Sequence, residues 1–255
     1  MQTSKAKGIP KNVRGVIVST ITGKERNAAQ EAIAILAESL EALGGPKRDN
    51  DGSGAEEDTG KDAEQGGTVD ISELLKAEVE DMKDKSKQDF LIRDMGLPSS
   101  VFIIFNFASP SPSDVLFHAL NAVKKSGQNK SRFCHRWSPI EHSCRAEMAA
   151  IEKMAKTVAE EYFGSEREEK SFAVDVQLRA KPKEIERMAV VEAFAGQISQ
   201  PPWTVDLTAP ELTVLVNVVK GTAGCAVLKG YRDLARYNLS ALATPQEEAE
   251  GTNVN

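Results

Sequence analysis

The stretch that decides the fold is Trp203-Thr204-Val205-Asp206-Leu207-Thr208-Ala209-Pro210, followed by Glu211-Leu212-Thr213-Val214-Leu215-Val216-Asn217-Val218-Val219-Lys220. The first eight residues are typical of a short extended segment that a proline turns into a corner. In the second run, apolar side chains such as Val216 and Leu215 fall on both alternating faces. Because a strand covered on both faces lies inside a sheet, this run predicts a central strand.

The rest of the second half predicts strands and helices in alternation. A turn at Lys220-Gly221-Thr222 separates the central strand from a second apolar run. Residues 172–178 alternate apolar and polar side chains, which is typical of a half-buried strand. Further elements are predicted as helices at residues 145–163 and 183–198 and as a strand at residues 131–137. The predicted order is therefore β-α-β-α-β-β, and the second domain covers residues 130–240.

The first half predicts two strand-helix units, which we assign to a small α+β domain over residues 12–126. The strands are apolar runs at residues 13–20 and 101–107, and each is followed by an amphipathic pattern. The second helix has a clear start at Ser111-Pro112-Ser113-Asp114. It offers a capping hydroxyl, a proline in the first turn and an acidic residue, all of which favour a helix N-terminus.

An acidic insertion separates the two units of the first domain. Residues 44–67 are rich in Gly, Asp, Glu and Lys and carry almost no apolar side chains. Such a segment cannot bury enough surface to offset the entropy of ordering, so we predict that it is disordered. A short helix is predicted at residues 70–79, and residues 241–255 are predicted to be a disordered acidic tail.

The charge is unevenly distributed along the chain. The formal net charge is -6. Residues 44–89 contain seven Lys or Arg and fourteen Asp or Glu, and residues 241–255 add three Glu without a basic residue. The remaining residues therefore carry a net charge of +4. A mildly basic folded part is compatible with a nucleic-acid partner.

Composition also indicates the compartment. No stretch approaches the roughly 18 apolar residues of a membrane span, and no basic and then apolar leader opens the chain. We therefore expect a soluble intracellular protein without a membrane partner. The three cysteines, Cys134, Cys144 and Cys225, are few and odd in number, which favours free thiols in a reducing compartment.

The patterns expected of an enzyme are weak. A transferase with a nucleotide cofactor needs a glycine-rich turn at a helix start, whereas residues 221–224 lie between two predicted strands. Cys134-His135 and His142-x-Cys144 offer metal-ligand types at a spacing that does not match zinc knuckles. With Glu141 they could also form a Cys-His-acid arrangement, but such local neighbours have low specificity. We predict no metal, no cofactor, no small-molecule substrate and no catalytic residue.

The lead-in to the central strand resembles the THUMP domain, an RNA-binding module of tRNA-modifying enzymes in which a V-D-L-x-x-P segment precedes the buried strand. The matching residues are Val205, Asp206, Leu207 and Pro210. Residues 228–239, LKGYRDLARYNL, are similar to the ending of the eukaryotic accessory proteins for tRNA cytidine acetylation, and residues 132–136 and 15–18 extend the resemblance. It implies a ferredoxin-like domain before the THUMP domain and a structural role for the four motif residues.

The resemblance implies a non-catalytic adaptor that holds serine and leucine tRNAs for a separate RNA cytidine acetyltransferase, which forms N4-acetylcytidine in the D-arm. It implies a nuclear or nucleolar location, with the cytoplasm as the alternative. Basic residues interleaved with the aromatic residues Phe133, Trp137, Tyr231 and Tyr237 suit phosphate contact and base stacking. The predicted RNA-binding residues are Lys130, Arg132, Arg136, Arg145, Lys220, Lys229, Arg232 and Arg236. Two other functions stay open: a stand-alone RNA-modifying enzyme that uses residues 134–144, and a protein-interaction scaffold that does not bind RNA.

Overall fold

The computed structural model describes residue 9 and residues 13–47, 88–164 and 169–243. Its first unit is an antiparallel sheet covered on one face by two helices. The strands are β1 (Gly15–Thr20), β2 (Phe90–Asp94), β3 (Ser100–Phe105) and β4 (Cys134–Ile140), and the helices are α1 (Glu25–Ala42) and α2 (Pro112–Ser126). The sheet order is β2-β3-β1-β4. Described elements in the order βαββαβ with this pairing form the ferredoxin-like arrangement that the sequence predicted.

Helix α2 begins as its sequence predicts. The side chain of Ser111 accepts a hydrogen bond from the backbone N–H of Asp114 at 3.1 Å, and Pro112 occupies the first turn. The apolar stripe of α2 is buried against the sheet and includes Leu116 and Leu120. The helix ends at Gly127, whose φ of 65° is the left-handed conformation that glycine adopts without strain.

The second unit is a mixed sheet with two helices on one face. Its strands are β5 (His142–Arg145), β6 (Lys170–Arg179), β7 (Trp203–Val205), β8 (Leu212–Val219) and β9 (Thr222–Lys229), and its helices are α3 (Met148–Phe163) and α4 (Arg187–Ala195). The sheet order is β5-β9-β8-β6-β7, with β6 parallel to both β7 and β8. Strand β8 is thus in the middle of the sheet, which confirms the predicted central strand and the α+β fold class.

The two faces of β8 are covered by different parts of the chain. Val214, Val216 and Val218 pack with α3 and α4 in the core of the second unit. On the opposite face, Leu215 joins the core of the first unit. A closing segment completes this cover, with a single turn at Ala235–Tyr237 and a short helix α5 (Leu239–Ala243). The two units therefore share one continuous apolar contact.

Along the chain, one residue, Glu141, separates the last strand of the first sheet from β5 of the second sheet. Its carboxylate accepts hydrogen bonds from the backbone N–H of Ser113 at 3.4 Å and from the Tyr162 hydroxyl at 2.8 Å. It thereby links the start of α2 to the end of α3. Burial and the Glu141 charge raise the pKa of Tyr162, so this hydroxyl stays protonated and remains a donor.

The structure changes several predicted boundaries. The strand predicted at residues 131–137 is β4, which pairs with β1 in the first sheet and not with the second sheet. The boundary between the sheets therefore falls at Glu141 and not between residues 126 and 130. Strands β2 and β5 were not predicted, because short edge strands carry little apolar periodicity. Helix α3 begins later than predicted, and α4 is shorter than predicted at both ends.

Parts of both predicted disordered segments are ordered. The backbone N–H of Lys47 donates to the Ser109 carbonyl at 2.8 Å in an isolated β-bridge, so residues 44–47 belong to the first unit. Residues 241–243 form the end of α5. The rest of the acidic insertion, the helix predicted at residues 70–79 and the rest of the tail lie outside the described residues. Within the described ranges, no helix is long and apolar enough to cross a membrane.

Candidate nucleic-acid interface

An arginine from the second unit reaches across to the first sheet. Arg179, the last residue of β6, donates from Nη1 to the Ser100 hydroxyl at 2.7 Å and from Nη2 to the Ser19 hydroxyl at 2.9 Å. The two serines are paired across β1 and β3, so they present adjacent acceptors. Burial lowers the pKa of Arg179, and the nearby positive charge of Arg136 lowers it further.

Arg136 lies on β4, at the same junction. Its side chain is half-buried, and its Nε is buried with no hydrogen-bond partner among the described residues. Its backbone forms an antiparallel bridge with Asn238 of the closing segment. The backbone of Arg136 therefore lies beside the closing segment, and its buried Nε is an unused donor.

The closing segment contains a left-handed turn. Three consecutive residues other than glycine have positive φ: Ala235 at 50°, Arg236 at 52° and Tyr237 at 58°. This conformation costs an L-residue roughly 1–2 kcal/mol at each position. Tyr231 holds the turn by two contacts. Its carbonyl accepts from the Arg236 N–H at 2.8 Å, and its ring lies 5.4 Å from the buried Tyr237 ring. Arg236 itself is exposed.

The buried Tyr231 hydroxyl lies among these charged groups. Burial is the main cause that raises its pKa to about 12, and Asp175 on β6 adds to the rise. The positive charges of Arg136 and Arg236 act in the opposite direction. Arg136 is thus near Arg179, and its backbone bridge to Asn238 places it beside the turn that carries Arg236; we call the three residues the arginine cluster. The cluster makes no ion pair with a carboxylate of the residues that the structure describes.

The corner before β8 is built by local hydrogen bonds. One oxygen of the Asp206 carboxylate accepts from the backbone N–H groups of Thr208 at 2.7 Å and Ala209 at 3.1 Å. These two bonds are the main causes that lower the pKa of Asp206, and the Arg232 charge lowers it further. Arg232 closes the corner by donating from Nη2 to the Leu207 carbonyl at 3.0 Å. The backbone bonds that the sequence predicted for Asp206 are present.

The other motif residues differ from one another in exposure. Pro210 is buried, but Val205 and Leu207 are 51% and 69% exposed. The backbone of Leu207 therefore contributes to the corner, and its side chain does not contribute to the core.

The predicted RNA-binding residues differ in their contacts. Lys130 pairs with Glu38 at 2.6 Å, and Arg145 lies 3.5 Å from Glu147. Lys220 donates to the Gly96 carbonyl at 2.7 Å. Arg132, in the bend before β4, and Lys229, at the end of β9, are exposed. Of the eight, the structure brings together Arg136 and Arg236.

Three aromatic residues that the sequence suggested for base stacking are in the core. Trp137, Tyr231 and Tyr237 are each at most 1% exposed, so they cannot meet a base. Phe133 is half-buried below Lys24, whose ammonium lies 5.9 Å from the ring centroid. Stacking on these three buried rings was a wrong expectation. Trp137 lies on the buried face of β4, and Tyr231 and Tyr237 pack into the core at the closing segment.

Cys134 and His142, two residues of the alternative enzyme site, have separate partners. The Cys134 thiol donates to the Ala28 carbonyl at 3.3 Å, and burial raises its pKa to about 11. At pH 7 roughly one molecule in ten thousand would carry this thiolate. His142 lies 3.1 Å from Glu161. Across the described ranges, no group of three or more His, Cys, Asp or Glu could hold a metal ion.

Residues 145–227 match the family model of the THUMP domain. These residues lie in the second unit, which is therefore similar to a THUMP domain. This match begins at the last residue of β5, so β4 and the first unit precede it. The domain supplies Arg179 to the arginine cluster, whereas Arg136 precedes the domain and Arg236 follows it. THUMP domains suggest RNA binding and a role in tRNA modification.

Several whole proteins are similar to this chain. "THUMP domain-containing protein 1" of Bos taurus is 25% identical over 246 residues, 94% of this chain and 66% of the bovine protein. The protein of the same name from Homo sapiens is 26% identical over 246 residues, 94% of this chain and 67% of the human protein. The chain therefore spans about two thirds of the length of these THUMP proteins.

Solved structures are less similar to this chain in sequence than these proteins are. A Pyrococcus horikoshii protein has a TM-score of 0.42 at 15% identity, covering 86% of this chain and 56% of its own. TrmN from Thermus thermophilus has a TM-score of 0.40 at 17% identity, covering 84% of this chain and 45% of its own. Both scores are below 0.5, so neither structure supports a conclusion about the function of this chain.

The sequence interpretation missed Arg179, although it lies inside the THUMP domain. Its signal was the alternation along β6, in which Ala173, Asp175, Gln177 and Arg179 form the second face. That face was taken as solvated because strand periodicity does not reveal what packs against it. The approach of the first sheet turns the end of this polar face into part of the junction.

Proposed function

We propose that the protein is a non-catalytic tRNA-binding adaptor that presents tRNA to a separate RNA cytidine acetyltransferase. The observation that carries this proposal is the arginine cluster. Guanidinium groups from both units gather at one junction, and no described carboxylate forms an ion pair with them. Like charges that the protein does not neutralise suit a polyanionic ligand. The THUMP domain favours RNA as that ligand.

In this proposal the partner carries out the acetyl transfer. The chain binds and orients the tRNA, so that the reacting cytidine of the D-arm meets the enzyme in an effectively unimolecular step. Serine and leucine tRNAs are the proposed substrates, and the complex would act in the nucleus or nucleolus. Loss of the adaptor should weaken substrate capture and leave the reacting groups of the enzyme intact.

Direct binding is the first test. Binding isotherms of the purified full chain with serine tRNA would be measured at several salt concentrations. We expect affinity to fall linearly in log-log form, with a slope set by the number of neutralised phosphates. A protein-interaction scaffold would show no binding, or binding that salt does not change, and either result would reject RNA binding.

Reconstitution tests the division of labour. The purified chain is incubated with acetyl-CoA, ATP and tRNA, and N4-acetylcytidine is measured before and after the partner acetyltransferase is added. We expect no acetylation until the enzyme is present, and at low tRNA concentration a faster reaction with the adaptor than without it. Acetylation by this chain alone would show that it is an enzyme.

The alternative enzyme is tested by substitution. Cys134→Ser, His135→Ala and His142→Ala combined should leave tRNA affinity and partner-dependent acetylation unchanged once activity is normalised to folded protein. Loss of modification with intact tRNA affinity would favour a stand-alone enzyme that uses residues 134–144.

A further inference from the structure

The left-handed turn at Ala235–Tyr237 is strained at the residue that carries a charge. Glycine would adopt these φ values freely, yet none of the three positions is glycine. Packing in the core accounts for the left-handed conformation of Tyr237, which is fully buried. It does not account for the same conformation at Arg236, which is exposed. A strained conformation with an exposed cation at its centre indicates that the position of the cation matters.

The surrounding contacts fix where Arg236 lies. Asn238, two residues later, bridges to Arg136 of β4, and Tyr231 before the turn contacts Gln177 of β6 at 3.5 Å. The turn is therefore attached to both sheets at the junction. Arg179 is held at the same junction by two serine hydroxyls, which leave its positive charge uncompensated.

We propose that the left-handed turn holds Arg236 so that it, Arg136 and Arg179 bind one phosphate group of the RNA at the junction of the two units. This inference rests on the proposed RNA binding and adds a subsite to it. Guanidinium groups suit phosphate because each can donate two parallel hydrogen bonds to its oxygens. The phosphate is either a diester within the strand or the 5′-terminal monoester.

Two glycine substitutions test the backbone strain of the left-handed turn separately from the charge of Arg236. Ala235→Gly and Arg236→Gly both remove a Cβ from a left-handed residue, so we expect each to keep the melting temperature or raise it by up to about 4 °C. As a control, Ala149→Gly in α3 should lower the melting temperature, because glycine is unfavourable in a right-handed helix. A clear loss of stability in both turn variants would contradict the strain.

The same variants test whether the arginine cluster binds a phosphate group of the tRNA. Arg236→Gly should weaken tRNA binding several-fold and flatten the slope of log affinity against log salt by roughly 0.7 to 0.9, whereas Ala235→Gly should stay within about twofold of the wild type. The Arg136→Ala/Arg236→Gly double variant should flatten the slope by one phosphate, because both arginines act on the same group. Flattening by two phosphates would show separate contacts and overturn the shared subsite.

Dephosphorylated tRNA distinguishes the two phosphate sources. If the difference between the wild type and Arg236→Gly vanishes with 5′-hydroxyl tRNA, the subsite takes the terminal phosphate, and if it persists, the subsite takes a diester. If the wild type binds tRNA with the expected salt slope and Arg236→Gly binds identically, the subsite is wrong and the adaptor proposal stands. If the wild type does not bind tRNA, both are wrong.

Discussion

At the scale of one residue, Asp206 shows how an exposed carboxylate sets the direction of the chain before a buried strand. Its two backbone hydrogen bonds hold the corner from which β8 starts. They also lower its pKa, because they favour the charged form. The residue is therefore structural, although it lies beside Arg232, a predicted RNA contact.

We predict that Asp206→Ala lowers stability at neutral pH and that the loss shrinks in acid. The folded-state pKa lies below the unfolded value of about 3.9, so the stabilisation is present above that value and disappears as pH falls through the folded-state pKa. Urea midpoints of the wild type and the variant at pH 7, 5, 4 and 3.5 would measure this. An Asp206→Asn variant that keeps its fold but loses tRNA binding would instead show a direct role in RNA binding.

At the scale of one element, two serines at the start of helix α2 should differ in the effect of an alanine substitution on stability. Ser111→Ala removes the cap and should cost about 1 kcal/mol of the free energy of unfolding. Ser113→Ala is the matched control, because the Ser113 hydroxyl is buried with no hydrogen-bond partner among the described residues, and its removal should be neutral or slightly stabilising. Chemical denaturation of both variants tests the pair, and equal losses would contradict the capping role.

Helices and strands could be predicted from the sequence where the pattern that identifies them depends on neighbouring residues. The cap of α2 and the two apolar faces of β8 are properties of neighbouring residues, and the structure confirms both. The partner of β4 could not be predicted, because the alternation that identifies a strand is the same in either sheet. Arg179 was missed for the same reason, since its role depends on a sheet formed by residues about 80 and 160 positions away.

At the scale of the whole molecule, the approach of the two units depends on a glycine in β9. A Cβ at Gly224 would lie 2.8 Å from Cγ2 of Ile140, at the end of β4. We predict that Gly224→Ala costs about 1–3 kcal/mol, because the branched Ile140 side chain has little freedom to move. Gly221→Ala, in the neighbouring turn with open space around its Cβ, should be neutral or stabilising by about 0.4–1 kcal/mol. Thermal denaturation would compare them, and equal stability of the two variants would show that the junction tolerates the methyl group.

Some cations on the described part of the surface are paired with carboxylates and others are not. We use this difference to predict which of them bind RNA. Lys130, Arg145 and Lys156 each lie within 4 Å of a glutamate. Arg132, Lys229 and Arg236 are exposed and form no ion pair with a described carboxylate. A cation that already has a carboxylate partner adds little when it meets a phosphate, because one interaction replaces another.

We therefore predict different salt slopes for two alanine triples that change the net charge equally. The Arg132, Lys229 and Arg236 triple should flatten the slope of log affinity against log salt by about two, at roughly 0.7 to 0.9 for each phosphate contact. The Lys130, Arg145 and Lys156 triple should flatten it by less than about one. With the partner enzyme, the first triple should raise the apparent KM for tRNA, and excess tRNA should restore part of the rate. Equal slopes for the two triples would show that net charge alone, and not the unpaired cations, governs the binding of RNA.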